Sequence, residues 1–316
     1  GIGMFFGVLQ YLNFRHLLGE AGNKPNDMPQ AQRDTYIKWS KITSALMVVV
    51  IGLGLLGIIT VEPKVFAENF AIFLTGVAFV YFSYLFLFAG LTQVEKKNLF
   101  LLLILFIGAA AFWSGFDQSA SSLSIFARDY TDLSVGGYEI PIGWLQFANP
   151  IFVVIFAPIF AGIWMHLGRI NLDPSLPVKF AIGLFFMALS FVVMIYAVNL
   201  AMEVSPVGMQ WLIITYLLQT WGELALSPIG LSAFSQYAPK KYVGQMFGLW
   251  FLASAIGGVL AGLLGGEALG EGLESISPVF EFMIQYYVVI GLALVAVAVF
   301  GIAKTADQVK AKTAKT

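Results

Sequence analysis

Long apolar segments alternate with short polar ones along nearly the whole chain. A membrane-spanning helix needs about 20 apolar residues, and eight segments come near or above this length. They cover residues 42–60, 66–92, 98–126, 145–167, 178–200, 208–236, 243–265 and 278–303. The pattern predicts an all-α polytopic membrane protein. The polar residues 13–41, rich in charge, Pro and Asn, show no sustained helical stripe and are predicted to form a linker.

Composition supports this prediction and removes several kinds of chemistry. Hydrophobic residues make up 59% of the chain and charged residues 11%, whereas soluble domains carry about 25% charged residues. There is no cysteine, which excludes disulfides, thiol catalysis and cysteine-bound metals. The net charge of −1 without an outward basic block makes nucleic acid an improbable partner, and no pattern calls for a metal or an organic cofactor.

The basic residues predict the orientation of the segments. If residues 13–41 are cytoplasmic, only Lys64 and Arg128 of the 17 Lys and Arg residues fall on the other side of the membrane. Because cytoplasmic loops are enriched in Lys and Arg, this distribution places the tail, residues 304–316, in the cytoplasm.

The segments differ in polarity, which suggests different roles. Residues 42–60 and 66–92 have almost no polar side chains away from their ends, so we expect these two helices to face lipid all round. The last six segments contain Asp, Glu, Asn, Gln, Ser, Trp and Pro, as expected of helices that line a cavity. We interpret the apolar opening, residues 1–12, as the end of a helix that began earlier, and the whole as one half of a two-half transporter.

Two acids lie at hydrocarbon depth, Asp117 in FWSGFDQSASS and Glu223 in TWGELALSPIG. An ionisable residue inside a membrane is expensive and is usually functional. Each acid can be protonated or paired with a cation, and either state would serve a proton-coupled carrier. The alternative is a neutral acid that hydrogen-bonds a backbone carbonyl and has no further role.

Polar and proline residues near Glu223 strengthen the functional interpretation. Ser227 lies one turn after Glu223 on the same helix face, and Pro228 should bend or open the helix there. Asn149-Pro150 forms a second polar–proline pair at the start of another segment. The alternative for each pair is a packing kink, which is common in membrane helices.

Two tryptophans and a stripe of small residues complete the candidate features. Trp113 shares the helix face of Asp117, and Trp250 lies in the middle of its segment, so either can form a pocket wall or simply pack in the core. Small residues repeat every four positions and predict close helix packing or a sliding surface. This stripe comprises Ser254, Gly258, Gly262, Gly266 and Gly270.

Four motifs in order resemble the proton-coupled oligopeptide transporter (POT) family of the major facilitator superfamily. They are FWSGFDQ with SSLSIFA, QFANPIFVVIFAPIFA, WGELALSPIGLSAFSQYAP and GLWFLASAIGG. The resemblance runs through the last six segments, and the two before them resemble the helical hairpin inserted in prokaryotic members. It implies the end of a sixth helix at 1–12, a cytoplasmic linker at 13–41, the inserted hairpin at 42–92, a C-terminal six-helix bundle at 98–303 and a cytoplasmic tail at 304–316.

The resemblance also implies a function and residue roles. Relatives of this kind are not enzymes but symporters that import di- and tripeptides with protons, by alternating access, across the bacterial inner membrane. Glu223 would bind the peptide amino terminus and pair with a lysine of the N-terminal half. Asp117 and Glu223 would both act in proton coupling and gating, and Asn149 would contact the peptide. Ser227 would line the site, with Trp113 and Trp250 as pocket walls.

Two departures and one rival function remain open. Asp117 stands where many relatives carry Glu, and the N-terminal half that would supply the cations is absent from this sequence. The same fold also carries nitrate, drugs or amino-acid derivatives, although such carriers would lose the amine-binding acid. A structural membrane subunit would explain the small-residue stripe but not Asp117 and Glu223.

Overall fold

The computed structural model describes residues 2–18, 29–57, 62–268, 272–299 and 301, and every statement below concerns these residues. Helices dominate it, and each of the eight predicted segments overlaps one long helix. The helices are α1 (Ile2–Phe14), α2 (Gln30–Leu55), α3 (Pro63–Leu87), α4 (Gln93–Phe116), α5 (Ser122–Tyr130), α6 (Ile142–Gln146), α7 (Ala148–Arg169), α8 (Leu176–Glu203), α9 (Gln210–Gln236), α10 (Val243–Ala268) and α11 (Leu273–Val299).

Length and hydropathy together qualify seven of the described helical segments as membrane spans. The predicted segment that does not qualify is α9, although its 27 residues are long enough. Its mean hydropathy is lowered by a polar run that includes Gln219, Thr220, Glu223 and Ser227. The helix whose sequence is least suited to lipid therefore carries the candidate site.

The predicted linker at 13–41 is wrong for its second half, because α2 begins at Gln30. Pro29 precedes this helix, and the residues that follow contain neither Gly nor Pro before Gly52, so nothing interrupts it. The middle of the predicted linker, residues 19–28, and the predicted tail, residues 304–316, lie outside the described residues.

The chain forms two compact units, residues 1–62 and residues 63–316. The first unit contains α1 and α2, and the second contains the remaining helices. In the second unit α3 packs against α4 and α10, so the expectation that this helix faces lipid all round is wrong. Ala78, Phe82 and Leu85 are buried because their spacing places them on one face of the helix.

Within the larger unit α8 packs along both α9 and α11, α4 pairs with α10, and α7 packs on α9. The core between them contains fully buried aromatic residues, among them Phe112, Phe180, Phe191 and Tyr287. At the start of α4 a capping box joins Thr92 and Glu95. This reciprocal pair satisfies two backbone donors at the helix end and explains why α4 starts before the apolar segment at residue 98.

A close helix approach joins α8 and α9 at Gly183 and Gly222. A Cβ atom on Gly222 would lie 2.8 Å from the Gly183 carbonyl oxygen and 3.0 Å from the Phe112 ring. A Cβ on Gly183 would in turn lie 3.0 Å from the Gly222 carbonyl oxygen. Small residues let membrane helices approach until dispersion forces stabilise the contact, so this crossing fixes the position of α9.

The glycines that pack α10 against α4 differ from most of the predicted stripe. Gly262 and Gly266 face open space, and Gly270 lies outside the described residues. Gly257 instead meets the backbone of α4, and Gly265 meets Ser121 and Gln118. Gly258 belongs to the predicted stripe and does lie close to a neighbouring side chain, because a Cβ on it would be 3.0 Å from the Asp117 carboxylate. Gly258 and Gly265 are seven residues apart and stay close to one helix face, whereas successive four-residue steps drift off it.

Four two-residue strands lie in the loops at one end of the larger unit. They are β1 (Thr131–Asp132), β2 (Ser134–Val135), β3 (Tyr138–Glu139) and β4 (Val207–Gly208). β1 pairs in parallel with β4, and β2 pairs antiparallel with β3. The first pairing joins the loop after α5 to the loop after α8, as expected if both loops lie on one side of the membrane.

The α8–α9 crossing predicts opposite effects for the same substitution at two glycines. Gly222→Ala would force a methyl group against the Gly183 carbonyl, and overpacking of this kind costs about 1–3 kcal/mol. Gly76→Ala in α3 meets no atom within 4 Å and should stabilise the helix by up to about 1 kcal/mol. Thermal unfolding of the purified protein, followed by tryptophan fluorescence, should show a lower Tm only for Gly222→Ala. Equal Tm values would contradict a tight crossing.

Candidate functional site

A polar cluster joins α7 and α9. The Asn149 side-chain amide donates hydrogen bonds to Thr220 Oγ1 at 3.0 Å and to Glu223 Oε2 at 3.1 Å. Thr220 in turn donates its hydroxyl proton to the Tyr216 carbonyl at 2.7 Å, which leaves its oxygen free to accept from Asn149. The two helices therefore place one amide and one carboxylate side by side.

Local sequence explains how Asn149 reaches this position. The short helix α6 ends at Gln146, and α7 starts at Ala148, so Asn149 lies in the first turn. Pro150 follows it there, where the missing backbone N–H costs little because first-turn donors have no partner within the helix. On α9, Thr220 and Glu223 are three residues apart and thus share a face.

The cluster presents unused acceptors. Among the described residues, no donor reaches Asn149 Oδ1 or Glu223 Oε1, and no Lys, Arg or His pairs with the Glu223 carboxylate. Both side chains are only partly buried. A carbonyl oxygen and a carboxylate oxygen without a described donor suit a ligand with several N–H donors, and a primary ammonium group has three.

Asp117 lies at a break in the predicted span 98–126. α4 ends at Phe116, a 3-10 turn covers Asp117–Ala120, and α5 begins at Ser122. The run DQSASS explains the break, because Asp and Ser side chains compete for backbone hydrogen bonds and disfavour helix interiors. The Asp117 carboxylate has no hydrogen bond or ion pair with another described residue, and it lies beside Gly258 of α10.

Gln118 holds this break in place. Its side-chain nitrogen donates to the Ala261 carbonyl of α10 at 3.0 Å. Its oxygen accepts from the hydroxyls of Ser121 at 2.8 Å and Ser122 at 2.7 Å. Gln118 is fully buried, and this network ties the turn to α10 next to Asp117.

The structure separates the predicted site residues into distinct places. Asn149 and Glu223 meet, whereas Asp117 shares no hydrogen bond with them. Ser227 lies one turn after Glu223 and is partly buried. α9 continues through Pro228 as one helix, so the predicted opening at this proline is absent, while the bound of α7 confirms that Asn149-Pro150 begins a helix.

The two tryptophans have different surroundings. Trp113 is partly exposed and packs edge-on against Phe112 and Phe116, and its indole N–H is buried without a described acceptor. Trp250 is only 4% exposed and packs against Phe180 and Phe234, where it also covers Gly230. Its placement is that of a core residue, and the pocket-wall role stays a prediction.

Sequence reasoning missed Thr220, which belongs to the cluster, and its buried neighbour Gln219. Thr220 positions Asn149, as described above. Gln219 lies one turn before Glu223, is 1% exposed and has a side-chain nitrogen without a partner among the described residues. Both belong to the polar run of α9, and that run was the available signal. The described residues contain no group of three His, Asp or Glu side chains that could hold a metal ion.

The helices and their polar cluster define an all-α polytopic membrane protein, and comparisons with known proteins identify its family. Residues 2–266 match the sequence profile of the POT family (PTR2). The chain belongs to this family, with the fold of its major-facilitator-type transporters.

Individual relatives agree with the family assignment. The peptide transporter YePEPT of Yersinia enterocolitica subsp. palearctica is 36% identical over 292 residues, which are 89% of this chain and 56% of that protein. A di-/tripeptide transporter of Lactococcus lactis subsp. cremoris is 30% identical over 265 residues, 80% of this chain and 52% of that protein. The crystal structure of a peptide transporter POT in complex with sulfate superposes with a TM-score of 0.79 and is 30% identical in sequence. The match covers 96% of this chain and 60% of that protein's chain. The chain thus spans about half the length of these relatives.

The Gln118 network predicts a marked loss of stability when it is removed. Gln118→Leu would remove the hydrogen bonds to the Ala261 carbonyl, Ser121 and Ser122, and the buried Ser122 hydroxyl would lose its described acceptor, which costs about 1–3 kcal/mol. Gln93→Leu is a matched control, because Gln93 is exposed at the start of α4 and its side chain has no described hydrogen bond. Thermal unfolding should show a lower Tm for Gln118→Leu alone. An unchanged Tm would mean that Gln118 does not hold the break.

Proposed function

We propose that this chain supplies one half of a proton-coupled symporter that imports di- and tripeptides by alternating access, rather than an enzyme. The observation that carries the proposal is the pair of acceptors, Asn149 Oδ1 and Glu223 Oε1, that have no donor among the described residues. A peptide differs from most small anions and drugs by its primary ammonium group, which this pair can accept. The names of the relatives support the same substrate class.

The energetics of the two acids suggest different tasks. A charged side chain near the membrane centre costs about 2.5–3.5 kcal/mol or more, whereas a hydrogen bond to a charged group contributes about 1.5–3 kcal/mol. Asn149 can thus offset much of the cost of an ionised Glu223. Asp117 has no such donor among the described residues, so nothing described offsets the cost of its ionised form. Glu223 is therefore assigned to the peptide ammonium and Asp117 to the proton.

The second half of the carrier would complete the site. None of the residues of α7 is buried, and side chains such as Ile151 and Val154 are 56% and 76% exposed. An apolar surface of this kind beside a polar cluster fits a face that closes on other helices. In the proposed carrier those helices belong to the N-terminal half, which also supplies a lysine that pairs with Glu223 when no peptide is bound. Membrane lipid would surround both halves in the bacterial inner membrane, with the C-terminus in the cytoplasm.

An ammonium site discriminates between the proposed substrates and the rival ones. Nitrate or another anion gains nothing from a carboxylate, whereas an amino-acid derivative with a free amine could still bind. N-acetyl dialanine lacks the ammonium but keeps the rest of the peptide. It should therefore fail to compete with dialanine for uptake, and effective competition would favour another recognition mode.

The first experiment tests Glu223 in the full-length transporter. Proteoliposomes with an inward proton gradient should accumulate labelled dialanine, and Glu223→Gln should reduce accumulation to the level of empty liposomes because the ammonium loses its counter-charge. Glu281→Gln is the control, since Glu281 is an exposed acid on α11 outside the cluster, and it should transport normally. If Glu223→Gln still concentrates dialanine against its gradient, the proposed role of Glu223 is wrong.

A second experiment tests whether Thr220 positions Asn149. Thr220→Val keeps the shape of the side chain but removes one of the two acceptors of the Asn149 amide. The loss of a hydrogen bond of about 1 kcal/mol should weaken dialanine binding about fivefold. Thr215→Val on the same helix, where the hydroxyl bonds to the Trp211 carbonyl, should leave binding unchanged. Affinity can be measured by calorimetry, and equal affinities for the two variants would contradict a positioning role.

A further inference from the structure

Two adjoining cavities lie between α3 and the bundle, away from the Asn149–Glu223 cluster. The first has a volume of about 490 Å³ and an apolar lining from α3, α4, α10 and α11, including Phe106, Ala110 and Leu260. The second, of about 760 Å³, lies at the helix ends and is lined partly by charged residues. Leu263 and Glu267 line both, so the two cavities adjoin as one candidate site with a polar mouth and an apolar interior.

The length of this site matches one leaflet of a membrane. On α10 the lining runs from Glu267 at the mouth to Ile256, and on α3 it runs from Lys64 to Thr75. Each stretch is about 16 Å long at 1.5 Å per residue, and half the hydrocarbon core of a bilayer is about 15 Å thick. A lipid acyl chain that enters beside the helix ends would fill the interior.

The charges at the mouth select a headgroup. Lys64, Glu68 and Glu267 line it, and none of the three forms an ion pair with another described residue. One cation and two carboxylates suit a headgroup that carries both a phosphate and an ammonium group. An ethanolamine ammonium can donate hydrogen bonds to both carboxylates, whereas a choline headgroup has no N–H donor.

The deep end of the site does not require a polar group on the ligand. Ser114 and Tyr286 line it, but their hydroxyls are hydrogen-bonded to each other at 2.6 Å. Gly262 and Gly266 of α10 keep the passage near the mouth open, because a Cβ on either would meet no atom within 4 Å. We propose that this site binds one phosphatidylethanolamine molecule, with its headgroup among Lys64, Glu68 and Glu267 and an acyl chain between α3, α4, α10 and α11.

Native mass spectrometry of the full-length transporter tests this site independently of transport. The purified protein is offered phosphatidylethanolamine, phosphatidylcholine and phosphatidylglycerol in equal amounts. The wild type should retain one phosphatidylethanolamine per copy in preference to the other two. Glu267→Gln should lower that retention about tenfold, as the loss of one charge-assisted hydrogen bond predicts, and should remove the preference over phosphatidylcholine.

A cavity-filling variant and its control separate this site from general lipid association. Gly262→Leu adds a side chain where a Cβ meets no atom within 4 Å, so it narrows the passage and should lower the retention of all three lipids. Gly291→Leu makes the same change at an equally open glycine in the groove between α8 and α11, and it should retain lipid like the wild type. Equal retention by Gly262→Leu and the wild type would overturn the proposal. So would a preference for phosphatidylglycerol, or no retained lipid, which would mean that another part of the protein covers the cavity.

Discussion

The cost of holding a carboxylate inside a membrane constrains everything else in this bundle. Two acids, Asp117 and Glu223, occupy spans whose other residues are chosen for apolar surroundings, and no described cation pairs with either. Glu223 has one amide donor and Asp117 has none. Each of these carboxylates must therefore bind a ligand, take up a proton or pair with another part of the protein, and each of these interactions is reversible.

The scaffold keeps the two acids on elements of different rigidity. α9 is a single helix and is fixed against α8 by the reciprocal contact of Gly183 and Gly222. Glu223 therefore lies on a rigid helix. Asp117 lies instead at the turn that divides α4 from α5, where one buried glutamine network replaces the regular helical ladder. Fewer backbone hydrogen bonds make such a turn the easier place for local change. The pairing of α4 with α10 and of α8 with α9 gives each acid its own neighbouring helix.

The helices could be predicted from the sequence because the membrane demands long apolar segments, and this demand leaves a signal that needs no tertiary information. The break at Asp117 was not predicted, because the polar run DQSASS disfavours a helix interior without fixing where the helix ends, and the tertiary contact between Gln118 and Ala261 stabilises the turn. The same limit applies to the stripe on α10. Small residues at Gly262 and Gly266 satisfy the pattern, yet Gly257 and Gly265 make the contacts, since the facing helix decides which stripe is used.

The candidate site shows a similar division. Asn149 and Glu223 could be singled out because polar residues in an apolar segment are conspicuous, but their meeting depends on the packing of α7 on α9. Thr220 was missed because a threonine that bonds to its own helix backbone is common in membrane helices. Its second role, as an acceptor for Asn149, exists only once α7 is in place.

The proposed symport requires both acids, and the reason lies in the sign of the coupling. If one carboxylate bound either a proton or the peptide ammonium, each would displace the other, and reciprocity would make the coupling negative. A symporter needs positive coupling, so proton and peptide must occupy different groups in the loaded state. The separation of Asp117 from the Asn149–Glu223 cluster meets this requirement. Because α4 and α9 each contact α8, a proton on Asp117 and a peptide at Glu223 can favour the same arrangement of the bundle without competing for one oxygen.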